Sequence, residues 1–271
     1  MRVMPPSAET GMADIVRAAA KAGEADRYLA ALLSPRKVRG DLIALAAYVA
    51  EIRRIGDEVR EGPLAEIKLQ WWRDALARSV AGEKSGNPVA DEFARVVSSY
   101  NLAHAKIEDW FDARVHTFYT DPPASDAALA LELKLLEGIP FAFAARILGQ
   151  ADADENDGVI ADAGTAYGLA RLGLDFPRSL ARGRAPLPFS ATSLHAKNCI
   201  GREARALLAR VKPAFAHAPQ AQMLALLPLA LVEPYLQALE RDDHDLTRDL
   251  GDVMPLSRVW RIWRARATGR I

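Results

Sequence analysis

One cysteine, Cys199, stands in the whole chain, so no internal disulfide can form and no cysteine-rich metal site can be built. That favours a reducing compartment, and a cytoplasmic location is expected. Charge of one sign is also missing: Lys+Arg and Asp+Glu balance at 35 each. With no global positive field there is nothing to recruit nucleic acid. Long apolar runs are absent too. The most apolar stretch, MLALLPLALV at 223–232, has ten residues, contains Pro228 and is followed by Glu233. A membrane span needs about 20 apolar residues, so no span is expected. The N-terminal MRVMPPSAETGMADIVRAAAKAG lacks a basic segment followed by an apolar one, and no signal peptide is expected. Neither repeat nor interdomain linker is visible, which predicts one domain over 1–271 with disorder over about 1–10.

What the chain does have is helix-forming material. Half of its residues are hydrophobic and 26% are charged, a globular profile. Ala, Leu, Arg and Glu dominate, β-branched residues are sparse, and apolar residues recur every three or four positions. This predicts an all-α fold of about ten helices. The expected helices cover roughly 11–33, 38–60, 63–81, 89–103, 106–117, 124–137, 139–149, 157–175, 195–211, 219–240 and 255–266. Pro63, Pro140 and Pro255 suit first-turn positions. SPRK, GEKSGNP, DPPAS and ARGRAPLPFS punctuate the pattern.

Within 38–60, Leu42, Leu45, Val49, Ile52, Ile55 and Val59 form a core stripe. Glu51, Asp57 and Glu58 alternate with Arg53, Arg54 and Arg60, and Arg53 can pair with Asp57 four residues on. The bland reading is a salt-bridged, solvated helix face. In GTAYGLARLGLDFPRSLARGRAPLP (164–188), Gly164, Ala166 and Gly168 permit close helix approach, and Pro177 is expected to stop or kink the helix. Arg182 and Arg184 follow in a basic loop, either ordinary or an anion grip, since arginine matches phosphate bidentately. DADENDG (152–158) is a poor calcium loop, because its glycine is displaced and Ala163 stands where a bidentate glutamate is needed. DDHD (242–245) reads as a solvated turn. His104, His116, His195, His217 and His244 have no metal-ligand spacing. The tail RVWRIWRARATGR (258–270) suits either an acidic membrane surface or docking of its tryptophans on the bundle.

Four segments together resemble the squalene/phytoene synthase superfamily, the head-to-head prenyl transferases. They are RYLAALLSPRKVRGDLIALAAYVAEIRRIGDEV, IKLQWWRDAL, EGIPFAFAARILG and GLARLGLDFPRSLARGRAPLP. LQWWR and the GR..LP ending are the most specific. The resemblance implies a single isoprenoid-synthase-type helical bundle around a central cavity. In active members of the family, two aspartate-rich motifs face each other and hold Mg²⁺, which neutralises a diphosphate leaving group.

At the first motif, an Asp-Asp-x-x-Asp pattern after an arginine, this chain has Arg53, Arg54, Ile55, Gly56 and Asp57, with Ala50 at the arginine position. At the second, Asp175 and Ser179 stand at the aspartate positions, while Gly168 and Arg171 replace Gln and Asn. Asp57 and Asp175 are therefore vestigial candidates, and arginines point where a metal should sit. Arg53, Arg54, Arg171 and Arg184, with Tyr48 and Tyr167, are the candidates for contact with a diphosphate-bearing substrate. No metal ligand is assigned. A subgroup resembling the mitochondrial complex I assembly factor shows the same loss, and this chain looks closest to its bacterial members. That implies a non-catalytic isoprenoid- or lipid-binding role, or a task in respiratory-complex assembly, with contact to a respiratory subunit or to the inner membrane (matrix side in a eukaryote). The alternative is an active, atypical prenyl transferase using Mg²⁺ or guanidinium groups. A lipid carrier or helical scaffold is the third reading.

Overall fold

Leu42, Leu45, Val49, Ile52 and Ile55 all lie buried along one helix, as an apolar stripe at helical period requires. The computed structural model describes residues 8–119, 121–188, 193–241, 244–251 and 253–271. These contain thirteen α-helices, one π-turn and one 3₁₀ turn, and no β-strand. The all-α expectation holds. Residues 1–7, most of the stretch expected to be disordered, lie outside the described residues, and so do Asp242 and Asp243 of the DDHD run. Contacts divide the chain into two compact units, 1–104 and 105–271.

The first unit holds α1 (Ala8–Gly23), α2 (Ala25–Leu32), α3 (Arg36–Glu58), α4 (Gly62–Val80) and α5 (Pro88–Ser99). Helix α3 is its centre, touching each of the others. The single helix expected over 11–33 is broken at Glu24, whose backbone leaves helical geometry (φ −135°, ψ 54°). Asn87 caps α5, its side-chain oxygen accepting from the amides of Val89 and Ala90 at 2.9 and 3.2 Å.

At one end of α3, Asp41 accepts from the Tyr100 hydroxyl at 2.5 Å and pairs with Arg95. Burial, then the hydrogen bond to Asp41, pushes the Tyr100 phenol up to about 12. A raised folded-state value stabilises the fold fully below the unfolded value of about 10, and that contribution fades as pH rises through 12. Denaturant midpoints should therefore fall between pH 10 and 12, and Tyr100→Phe should flatten that slope.

The second unit holds α6 (His104–His116), α7 (Asp126–Leu133), a π-turn (Lys134–Gly138), α8 (Ile139–Ile147), α9 (Gly158–Ala181), α10 (Ser193–His217), α11 (Gln220–Ala225), a 3₁₀ turn (Leu227–Leu231), α12 (Val232–Leu239) and α13 (Pro255–Thr268). Helix α9 is central here, packing on α7, the π-turn, α8, α10 and α12. Asp157 starts it by accepting from the Val159 amide at 2.8 Å. Asp154 accepts from the Asn156 amide within the loop, and Glu155 pairs with Lys106 of α6, so these two acids have structural partners.

Two expectations are corrected in this unit. Pro177 does not stop its helix, which runs on to Ala181. Proline removes one amide donor and crowds the carbonyl four residues back, which here belongs to Gly173. Phe176 and Pro177 are buried, so packing holds the turn that the ring weakens. The helix expected over 219–240 is instead α11, the 3₁₀ turn and α12, with Pro228 opening the middle piece. The MLALLPLALV run is core: Leu224, Leu226, Leu227, Leu229 and Leu231 are all buried. No described helix is long and apolar enough to cross a membrane.

Candidate functional site

In the first unit, the motif positions lie on the last two turns of α3. Adjacent residues on a helix point about 100° apart. The environments of Arg53 and Arg54 differ accordingly. Arg54 is exposed (58%) and sits between Glu51 at 2.5 Å and Glu58 at 3.2 Å, the solvated salt-bridge pattern. Burial raises the Glu51 carboxyl above its ordinary value, against the pull of Arg54. Arg53 is only 23% exposed, and its Nη1 lies 3.5 Å from Glu24 Oε1 on the break between α1 and α2. The other Glu24 oxygen accepts from Arg27 Nη1 at 2.7 Å. The Glu24 side chain is fully buried, so one inaccessible carboxylate is shared by two guanidinium groups. Asp57 is exposed.

Ala50, at the position of the family's diphosphate-gripping arginine, is packed against α1. A Cβ added at Gly23 would lie 2.6 Å from the Ala50 Cβ, so α1 and α3 meet there with no room for another atom. Restoring the motif by Ala50→Arg should cost at least about 2 kcal/mol in urea unfolding, because an overpacked site must move backbone. Equal midpoints for the variant and the parent would refute this packing argument.

Tyr48 is a core residue. Its ring stacks on Phe93 (4.3 Å) and meets Trp72 edge-on (5.4 Å), and its hydroxyl donates to the Trp72 carbonyl at 3.3 Å. It ties α3 to the LQWWR helix.

In the second unit, the motif positions lie along α9. Arg171 is buried, with Nη1 3.4 Å from the Tyr167 hydroxyl and the guanidinium 5.2 Å over the Tyr167 ring. Glu137, buried in the π-turn, lies 3.8 Å from it. Tyr167 also packs against Phe141. Two glycines bring the π-turn to α9: a Cβ at Gly164 would fall 2.6 Å from the Gly138 amide nitrogen. Gly168 faces Leu133 at 3.0 Å in the same sense. Nearby, burial raises the Glu132 carboxyl, opposed by Arg114 and His116. Asp175 pairs with Arg178 at 2.8 Å, and Arg184 lies 6.0 Å over the Phe118 ring.

Each unit thus pairs a motif arginine with a buried glutamate that sequence reasoning missed: Glu24, with its second partner Arg27, and Glu137. Their local patterns, AGEADR and LLEGIP, look like any charged residue on a helix; only tertiary contact distinguishes them. Magnesium requires several oxygen donors on one face. At the first-motif positions the structure has two guanidinium groups already engaged by glutamates, and Glu51 and Glu58 are taken up by Arg54. Among the described residues, no three His, Cys, Asp or Glu side chains come together as a metal site.

Solved structures share this architecture. A squalene synthase, HpnC, from Alicyclobacillus acidocaldarius superposes with a TM-score of 0.70 at 18% identity, covering 88% of this chain and 96% of that one. A dehydrosqualene synthase solved with a ligand gives 0.75 at 14% identity, covering 95% and 96%. At such identities the likeness shows the fold alone. Among curated proteins, NADH dehydrogenase (ubiquinone) complex I, assembly factor 6 from Rattus norvegicus is 22% identical over 89% of this chain and 79% of its own length. The Bos taurus protein of that name is 23% identical over 88% and 78%. The squalene/phytoene synthase family model matches residues 20–198, well over half of the chain. This chain, with its two arginine-substituted motif helices, therefore belongs to the squalene/phytoene synthase family.

Proposed function

We propose that this chain is a non-catalytic member of its family, acting in the assembly of a respiratory NADH dehydrogenase or holding an isoprenoid or lipid. The observation that carries the proposal is the buried Glu24 carboxylate shared by Arg27 and Arg53. Ionising a prenyl diphosphate needs concentrated positive charge free to meet the leaving group, normally supplied by metal ions on carboxylates. Here the first carboxylate position carries a cation, and that cation is committed to an internal anion. Like-charge repulsion from Arg53 and Arg54 also opposes a divalent cation at that place. The assembly role is supported by the complex I assembly factor relatives, which align over most of both chains. A cytoplasmic site of action at the inner membrane, or its matrix face in a eukaryote, fits that role.

Two assays test the reading. Purified protein incubated with farnesyl or geranylgeranyl diphosphate and Mg²⁺ should release no squalene- or phytoene-type hydrocarbon. Turnover would instead establish the atypical prenyl transferase, with Arg53, Arg54, Arg171 and Arg184 meeting the diphosphate. Deleting the gene should lower NADH:quinone reductase activity in isolated membranes while succinate oxidation holds. Unchanged activity would remove the assembly role and leave ligand binding alone.

A further inference from the structure

Helix α13 carries a surface that the motif helices do not explain. One of its faces is docked: Ile262 and Ala265 are buried, the Arg258 guanidinium lies 5.6 Å over the Tyr235 ring, and the helix packs on the 3₁₀ turn Leu227–Leu231. The opposite face is open. Leu256 (77% exposed), Val259, Trp260 (57%) and Trp263 (48%) recur at spacings of three and four, and Ala267 continues the stripe. The two indole rings stack at 5.1 Å, and Met254 (74% exposed) extends the apolar surface past the helix start. Arg264 and Arg266 flank the stripe on either side. Residues 253–271 hold five arginines and no acidic residue in a chain whose total charge balances to zero. The positive charge is therefore concentrated at this end.

We propose that this face of α13 lies on an anionic membrane surface, with Leu256, Trp260 and Trp263 at the headgroup level and Arg264 and Arg266 on lipid phosphates. Three features select this occupant. Tryptophan places an apolar ring with a polar edge at the water–lipid boundary. Arginines beside an apolar stripe can reach upward to phosphates while their stems cover lipid. A local cationic density without acids is attracted by anionic lipid and gains nothing from neutral lipid. A soluble monomer gains nothing by leaving two stacked tryptophans in water. The proposal is independent of the assembly reading, and its assay involves neither diphosphate nor NADH.

The test is co-sedimentation of the full chain with vesicles of phosphatidylcholine plus phosphatidylglycerol, against vesicles of phosphatidylcholine alone. Binding is expected only to the anionic vesicles and should weaken as salt shortens the Debye length from about 30 Å at 0.01 M to 8 Å at 0.15 M. Trp260→Ser with Trp263→Ser should lower the partition coefficient about tenfold or more. Arg264→Gln with Arg266→Gln should cause a similar loss while abolishing the preference for anionic lipid. Trp260, Trp263 and Arg264 are exposed and Arg266 is half-buried at the edge of the docked face, and the arginine pair keeps the proposal testable should the tryptophan pair disturb folding. No binding at low salt, equal binding to both vesicles, or a concentration-dependent dimer that the tryptophan variant abolishes would overturn it. The last outcome would assign the stripe to a second copy of this chain.

Discussion

Glu24→Ala should lose about 3–5 kcal/mol of folding stability, measured as a shift in urea midpoint at constant slope. The side chain is fully inaccessible and accepts from Arg27 at 2.7 Å while meeting Arg53 at 3.5 Å. Arg27 is itself buried, so removing the carboxylate takes away its 2.7 Å anionic partner in a place that water reaches poorly. The loss is larger than any surface pair could cause, since exposed ion pairs contribute about 0–1 kcal/mol. Arg54→Ala supplies that comparison, because Arg54 is exposed and should change stability by less than about 1 kcal/mol. Replacing Glu24 and Arg27 together by Met should restore most of the loss, because a buried pair exchanged for apolar side chains of similar volume is often near neutral. An Ala variant within about 0.5 kcal/mol of the parent would show that the cluster does not hold α1 and α2 to α3.

Gly164→Ala is the second large effect, and two opposing terms decide it. In an exposed helix, alanine would stabilise by about 1 kcal/mol over glycine. Here the new methyl would stand 2.6 Å from the Gly138 amide nitrogen and 2.7 Å from its Cα, both backbone atoms that cannot rotate away. Overpacking of this kind costs about 1–3 kcal/mol, more when backbone must move, so a net loss of about 2 kcal/mol is expected. Valine should be worse. Gly40→Ala in α3 is the control: nothing lies within 4 Å of its added Cβ, and a gain of about 0.5–1 kcal/mol is expected from reduced freedom in the unfolded chain. If both substitutions shift the midpoint in the same direction, the close approach of α9 to the π-turn is not what requires Gly164. The same approach positions Glu137 for Arg171, so the Gly164 variant should also disturb that pair.

The core stripe of α3 was legible because burial follows helical period, a purely local rule. Pro177 misled for the same reason: its local cost is real, and the packing of Phe176 and Pro177 outweighs it. The π-turn at Lys134–Gly138 had no local signature beyond its closing glycine and a proline two residues further on. Arg53 and Arg54 looked equivalent in sequence, and the surface reading described only Arg54. Arg53 found Glu24, 29 residues earlier, across a junction that Gly23 and Ala50 allow.

From sequence alone the all-α class follows, because helical periodicity is a property of the chain itself, and the thinning of carboxylates at both motifs is what the family resemblance implies once these residues are set beside its pattern. Which arginine would be exposed and which would neutralise a buried glutamate was settled only by tertiary structure. A charge's partner is chosen by distance in space, and that distance depends on how closely two helices approach. Here the approach is governed by single missing Cβ atoms, at Gly23 against α3 and at Gly164 against the π-turn.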